Sequence, residues 1–176
     1  METAALIIGI VAVILLFLSY QQKKRANIIA FNIACRVLFI LQYVFLGAFE
    51  GAALDIAAIV ASWLAQKKNT PIIQKYLKPV IVLVDLGIIA VGLFLYQDLY
   101  SLLPIAAVLF QTTAFWLDNE KAIRIVSLAG APFWLVYNLA SGAVGSVIGD
   151  TLTVVSLVIA MLRYDFKLIG KSKETE

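Results

Sequence analysis

One arginine, three aspartates and a handful of amides stand inside otherwise apolar stretches of this 176-residue chain. Arg36 lies in the run NIIAFNIACRVLFILQYVF, with Asn32 at i−4 and Tyr43 at i+7. In a helix these three share one face, so they form a polar stripe with a fixed positive charge at its centre. A charge in such surroundings needs a partner, and Asp55, Asp85 and Asp150 are the candidates. Asp85 sits at a depth close to that of Arg36, whereas Asp55 and Asp150 stand nearer the other end of their runs. Ser62 shares a face with Asp55 at i+7, and Ser146 with Asp150 at i−4. A neutral Arg–Asp pair costs less than two isolated charges. Such a pair can lock helices together or line a solute path, and a carboxylate that changes protonation would couple that path to protons.

Two further polar runs interrupt the apolar pattern: Gln111, Thr112 and Thr113, and then Trp134, Tyr137 and Asn138. Aromatic faces beside amides make a stacking wall with hydrogen-bond donors, which suits a sugar or a heterocycle. The same residue types also pack membrane helices against each other, as does the small-residue series Gly142, Gly145 and Gly149. The chain has no histidine, and Cys35 is its single cysteine. The commonest metal ligand, the usual proton shuttle and any internal disulfide are therefore excluded. No nucleophile–base or paired-carboxylate constellation stands out, so neither an enzyme, a metal nor a cofactor is expected.

The elements that must position these residues are membrane spans. Hydrophobic residues make up 62% of the chain and charged ones 14%, with a mean hydropathy of +0.96. That leaves too few polar residues to coat a soluble domain. A hydrocarbon core of roughly 30 Å takes about 20 helical residues per crossing. The apolar runs predict seven crossings: Ala4–Tyr20, Asn27–Ala48, Gly51–Ala65, Pro79–Tyr96, Ser101–Leu117, Ala122–Ala140 and Ala143–Arg163. METAA lacks a basic start, which argues against reading the first as a signal peptide.

The net charge of +3 does not point to nucleic acid, because the basic residues sit in short segments between apolar runs. When sides are alternated, every Lys and Arg except Arg36 falls on one side, and Glu2, Glu50 and Asp98 fall on the other. The positive-inside rule then places the N-terminus outside and the C-terminus in the cytoplasm. Tyr and Trp residues near the span ends, such as Trp63, Tyr96 and Trp116, match an aromatic belt.

Shifting the chain by 94 residues lays spans one to three on spans five to seven. LFILQY falls on PFWLVY, so that Phe39, Leu41 and Tyr43 meet Phe133, Leu135 and Tyr137, and Ser62 meets Ser156. Gly130 takes the place of Arg36 and would leave room for a long side chain from across the repeat axis. The expected fold is an all-α membrane protein of seven transmembrane helices. Two parallel three-helix repeats occupy residues 1–66 and 99–164, a linker helix lies in 67–98, and residues 165–176 form a polar cytoplasmic tail. Substrate sites of parallel-repeat transporters lie at the repeat interface near the midplane.

The phrases LQYVFLGAFEGAALDIAAIVASWLAQKK and FWLVYNLASGAVGSVIGDTLTVVSLVIAMLRYD resemble the YgjV family of bacterial inner-membrane proteins. In layout the chain is similar to the SWEET, PQ-loop and PnuC group of small transporters. The resemblance implies a bacterial inner-membrane location and a SWEET-like bundle. That wider group carries prolines in the first two helices of each bundle. Pro104 and Pro132 supply them in the second bundle, while spans one and two have none, and no Pro-Gln pair occurs.

The expected function is transport of a small polar or anionic solute. Its site would draw on Arg36, Asn32, Tyr43, Asp55, Asp85, Gln111, Trp134, Tyr137, Asn138 and Asp150. The alternative is a membrane scaffold or sensor component in which the same charges fix helix packing. The expected partners are the lipid bilayer and a small solute, with no nucleic acid, and a chain holding both halves could act as a monomer.

Overall fold

The computed structural model describes the backbone of residues 2–46, 49–96, 98–140 and 144–166, and the side chains of these except 2–6, 46, 49, 50 and 144–146. The tail beyond Phe166, Gly142, the surroundings of Gly145, and the side chains of Glu2, Glu50 and Ser146 lie outside the described residues. The described residues are all-α: α1 Glu2–Tyr20, α2 Arg25–Leu46, α3 Phe49–Gln66, α4 Pro71–Lys75, α5 Leu77–Phe94, α6 Leu102–Trp116, α7 Glu120–Ala140 and α8 Val144–Ala160. A 3-10 turn at Leu99–Ser101 leads into α6, and a π-helical turn at Met161–Asp165 extends α8.

The breaks between helices follow from local chemistry. QQKK separates α1 from α2 because consecutive charged side chains gain more from water than from an apolar bundle. Asp98 caps the 3-10 turn, its carboxylate accepting from the Ser101 N–H at 3.1 Å. The Asn119 Oδ1 accepts from the Lys121 and Ala122 N–H groups at 2.8 and 3.3 Å and so starts α7, in the manner of an N-cap. Pro71 opens α4, a short helix inside a segment that the sequence presents as a loop. Pro lacks an N–H that a first helical turn leaves unbonded anyway. Pro104 likewise falls in the first turn of α6. Pro132 stands inside α7, where its ring leaves the Leu128 carbonyl without its i+4 donor.

Among the described residues, five helical stretches are long and apolar enough to cross a membrane: Arg25–Phe45, Leu77–Phe94, Leu99–Trp116, Glu120–Ala140 and Val147–Asp165. Ile7–Tyr20 and Gly51–Gln66 are apolar but shorter. The outward face of Leu77–Phe94 is oily: Leu83 is 68% and Phe94 88% exposed, a surface that suits lipid and not water.

Six helices close a ring. α1 packs on α2 and α8, α2 on α3, α3 on α6, α6 on α7, and α7 on α8. α5 lies outside the ring against α3 and α6. It approaches closely because Gly92 has no side chain: a Cβ there would stand 2.3 Å from Ile105 Cγ1. The largest core cluster, with Tyr20, Ile28, Phe115, Ile123 and Leu157, gathers where α1, α2, α6, α7 and α8 meet. Hydrogen bonds described below bring the C-terminal ends of α1, α3 and α6 and the N-terminal ends of α2 and α7 to one end of the ring, so α1 and α6 run in the same direction.

Candidate functional site

The ring encloses a cavity of about 100 Å³. Every helix of the ring contributes to its wall, and α5 contributes nothing. Of the residues that the sequence singles out, Asn32, Arg36 and Tyr43 from α2, Asp55 from α3 and Gln111 from α6 line it. So do Trp134 and Asn138 from α7 and Asp150 from α8. The stripe of Asn32, Arg36 and Tyr43 thus faces inward, as their shared helix face requires.

Arg36 is the hub. It is 4% exposed, and Asp55 is 5% exposed. Its Nη1 donates to the Asp55 carboxylate, its Nη2 to Gln111 Oε1, and its Nε to Asn32 Oδ1, the last at 3.1 Å. One guanidinium therefore ties α2 to α3 and α6. Gln111 passes the network on, its Nε2 donating to the Tyr20 hydroxyl at 3.0 Å. The planar fork of five N–H donors makes this convergence feasible for arginine and not for lysine. Because Asn32 Oδ1 accepts from Arg36, its Nδ2 is fixed as a donor. That Nδ2 is buried and has no partner among the described residues, and Asn32 is 0% exposed.

Asp150 stands apart from this pair. Its Oδ2 accepts from Asn138 Nδ2 at 2.7 Å, and among the described residues no Lys or Arg comes within ion-pairing distance of it. Trp134 and Tyr137 meet edge to face at 6.2 Å, and Phe39 and Tyr43 stack at 6.4 Å. The wall of the cavity is thus partly aromatic.

Three expectations are corrected here. Asp85 does not balance Arg36: it lies on α5, off the cavity, half-buried, with its Oδ1 unpartnered among the described residues. The pairing goes to Asp55 because α3 is a neighbour of α2 in the ring, while α5 is held outside it. Gly130 does not make room for Arg36. A Cβ there would stand 2.7 Å from Phe110 Cβ, so the missing side chain lets α6 approach α7. Tyr137 is not part of the cavity lining and reaches the site through its ring contact with Trp134. Of the other polar residues, Ser62 and Thr112 donate to carbonyls of their own helices at 2.7 and 2.9 Å, and Thr113 is exposed.

The cavity also takes in residues that the sequence does not mark: Tyr20, Cys35, Phe39, Ser127 and Thr153. None of them carries a charge of its own to flag it. Ser127 lies four residues before Ala131 and seven before Trp134 on α7, so helical spacing from Trp134 was the available signal.

At one end of the ring, three basic residues hold helix ends together. Arg25, at the start of α2, donates to the carbonyls of Ala65 in α3 at 2.7 Å and Leu117 after α6 at 2.8 Å, and also to that of Phe115. Lys68 donates to the Trp116 carbonyl at 2.6 Å and pairs with Asp118 at 2.6 Å. Arg124 of α7 donates to the Gln22 carbonyl at 2.9 Å and pairs with Asp165 at 2.8 Å. Helix C-termini present unbonded carbonyls and a negative dipole end, so cations are favoured there. The hydrogen bond from the Lys68 ammonium holds the Asp118 carboxyl below the usual carboxylate range. The sequence shows Arg25 and Lys68 as loop charges and Arg124 at the start of a span, on the basic side, yet Arg124 is 1% and Lys68 4% exposed. All three clamps join the α1–α3 side of the ring to α6 or α7.

The family model Imp-YgjV, described as a bacterial inner membrane protein, matches residues 3–167. No curated protein and no solved structure gives a significant match.

Proposed function

The chain belongs to the Imp-YgjV family of bacterial inner membrane proteins, and we propose that it is a transporter of a small polar solute. The observation that carries this reading is the cavity inside the six-helix ring, lined by buried charged and amide groups. Ionisable groups at membrane depth are costly, and they mark solute and ion paths when they face an interior cavity.

The proposed arrangement has seven crossings: three helices, the linker α5, and three more. The 94-residue shift carries α2 and α3 onto 119–140 and 143–160, within a residue of α7 and α8. α1 and α6 run in the same sense, as parallel repeats would. The cavity then lies at the repeat interface, where such transporters bind substrate. With the basic end in the cytoplasm, Arg25, Lys68 and Arg124 form an inner latch between the two triplets. Opening to the cytoplasm would break these clamps while the Arg36–Asp55 pair stays intact within the first triplet. Pro132, with its freed Leu128 carbonyl, is the point in α7 most able to bend.

An anion is a weaker candidate than the sequence suggests, because Asp55 already neutralises Arg36. The scaffold or sensor reading draws on the same network, since Arg36 ties three helices together. A screen of the purified protein by thermal shift separates the two. Sugars, vitamins, organic anions and organic amines form the library. The transporter reading expects stabilisation by some member, lost in Asn32→Ala and Gln111→Ala. No response across all classes favours the scaffold.

A further inference from the structure

The cavity is not electrically balanced. Arg36 and Asp55 cancel each other, and Arg36 spends a further N–H on Gln111 and another on Asn32. Asp150 is left facing the cavity with one amide donor, from Asn138, and no cation among the described residues. An amide softens a buried carboxylate but does not cancel its charge. Lower in the cavity, toward the clamped end, Asn32 presents an Nδ2 donor with no partner, locked in orientation by Arg36 and fully buried. Trp134 lies one helical turn before Asn138 on α7 and lines the same cavity as Asp150.

Resting on the transporter reading, we propose that the solute is a small organic cation, bound with its positive charge against Asp150 and an acceptor oxygen or nitrogen against Asn32 Nδ2. The charge class follows from the balance: an anion would meet Asp150 with no free cation to receive it, and a cation would complete the neutralisation that the cavity lacks. The organic character follows from the wall. Trp134 and Tyr43 are among the lining residues, and aromatic rings attract cations when water is excluded. A bare metal ion needs several oxygen ligands, and the described residues bring one carboxylate and one amide together here.

The experiment uses the purified full-length protein in detergent at pH 7 and ligand sets of matched shape: benzylammonium, benzyl alcohol and benzoate; N-methylpyridinium-3-carboxamide and nicotinamide. Tm is read by thermal shift and Kd by isothermal titration, with NaCl varied separately. The expected result is stabilisation by the cations, at least tenfold tighter than by their neutral counterparts, and none by benzoate. Asp150→Asn, checked for monodispersity, is expected to abolish that tenfold preference. Tighter binding of benzoate or of the neutral compounds overturns the inference and leaves a solute site standing. So does a cation preference that survives in Asp150→Asn, or a response to Na⁺ without one to organic cations. Silence from every compound of every charge overturns the solute site and this inference with it. Should Asp150→Asn not fold, the charge preference of the unaltered protein decides the matter.

Discussion

Replacing Arg36 by methionine keeps the bulk of the side chain and removes its charge, leaving Asp55 5% exposed with no counter-ion. Breaking a buried pair by removing one partner costs about 3–5 kcal/mol. In a membrane protein the unfolded reference keeps some polar partners in lipid, so the lower figure is the one to expect. A loss of about 3 kcal/mol is roughly 150-fold in the unfolding constant at 1.36 kcal/mol per decade. Asp55→Leu alone strands the guanidinium and loses a similar amount. Arg36→Met combined with Asp55→Leu removes both charges. The donors that Gln111 and Asn32 lose, about 1 kcal/mol apiece and already part of the Arg36→Met cost, are what remains. The double variant should therefore sit only about 2 kcal/mol below the parent, with a coupling of roughly 4 kcal/mol between the two sites. SDS-driven unfolding in mixed micelles, followed by circular dichroism, measures all four corners of the cycle. Two single effects that add to within about 0.5 kcal/mol would refute the claim that this pair is buried and mutually dependent.

Three further outcomes follow from other contacts. Gly130→Leu drives a side chain into Phe110 Cβ and should cost about 1–3 kcal/mol in the same unfolding assay, with partial recovery when Phe110→Gly, which removes that Cβ, is added. Arg124→Ala strands Asp165 and frees the Gln22 carbonyl. It should cost about 2–4 kcal/mol and speed hydrogen exchange at the ends of α1 and α7, with Arg124→Lys recovering less than half. The folded-state carboxyl of Asp118 lies below its ordinary range, so its contribution is present above about pH 4 and is lost as pH falls through the folded value. Because Asp118 is exposed, Asp118→Asn should change Tm little at pH 7. It should also remove a small part of the decline in Tm between pH 5 and pH 3.

Much of the fold was legible because lipid imposes one rule on every span. Apolar runs of the right length, interrupted by QQKK and DNEK, mark where α1, α2, α6 and α7 begin or end within a few residues. α4 was not legible, since PIIQK is too short to show periodicity. The inward face of α2 could be read from helical spacing alone, which is why Asn32, Arg36 and Tyr43 all reached the cavity. The partner of Arg36 could not. Depth alone favoured Asp85 over Asp55, and the choice depends on which helix is next to α2 in the ring. The clamps at Arg25, Lys68 and Arg124 were hidden for another reason. A lysine in a loop and a lysine folded back onto a helix end have the same sequence, and burial is decided by where the neighbouring carbonyls point.

Transport as proposed requires water and solute to reach the cavity from either side of the membrane in turn. In a Cys35→Ala background, a single cysteine at Thr153 on the cavity wall reports this directly. Right-side-out and inside-out vesicles are treated with a membrane-impermeant maleimide, and labelling is followed in time. The account predicts labelling from both sides, with the inner side accelerated when Arg124→Ala loosens the latch. Labelling confined to one side, or protection from both, would contradict it.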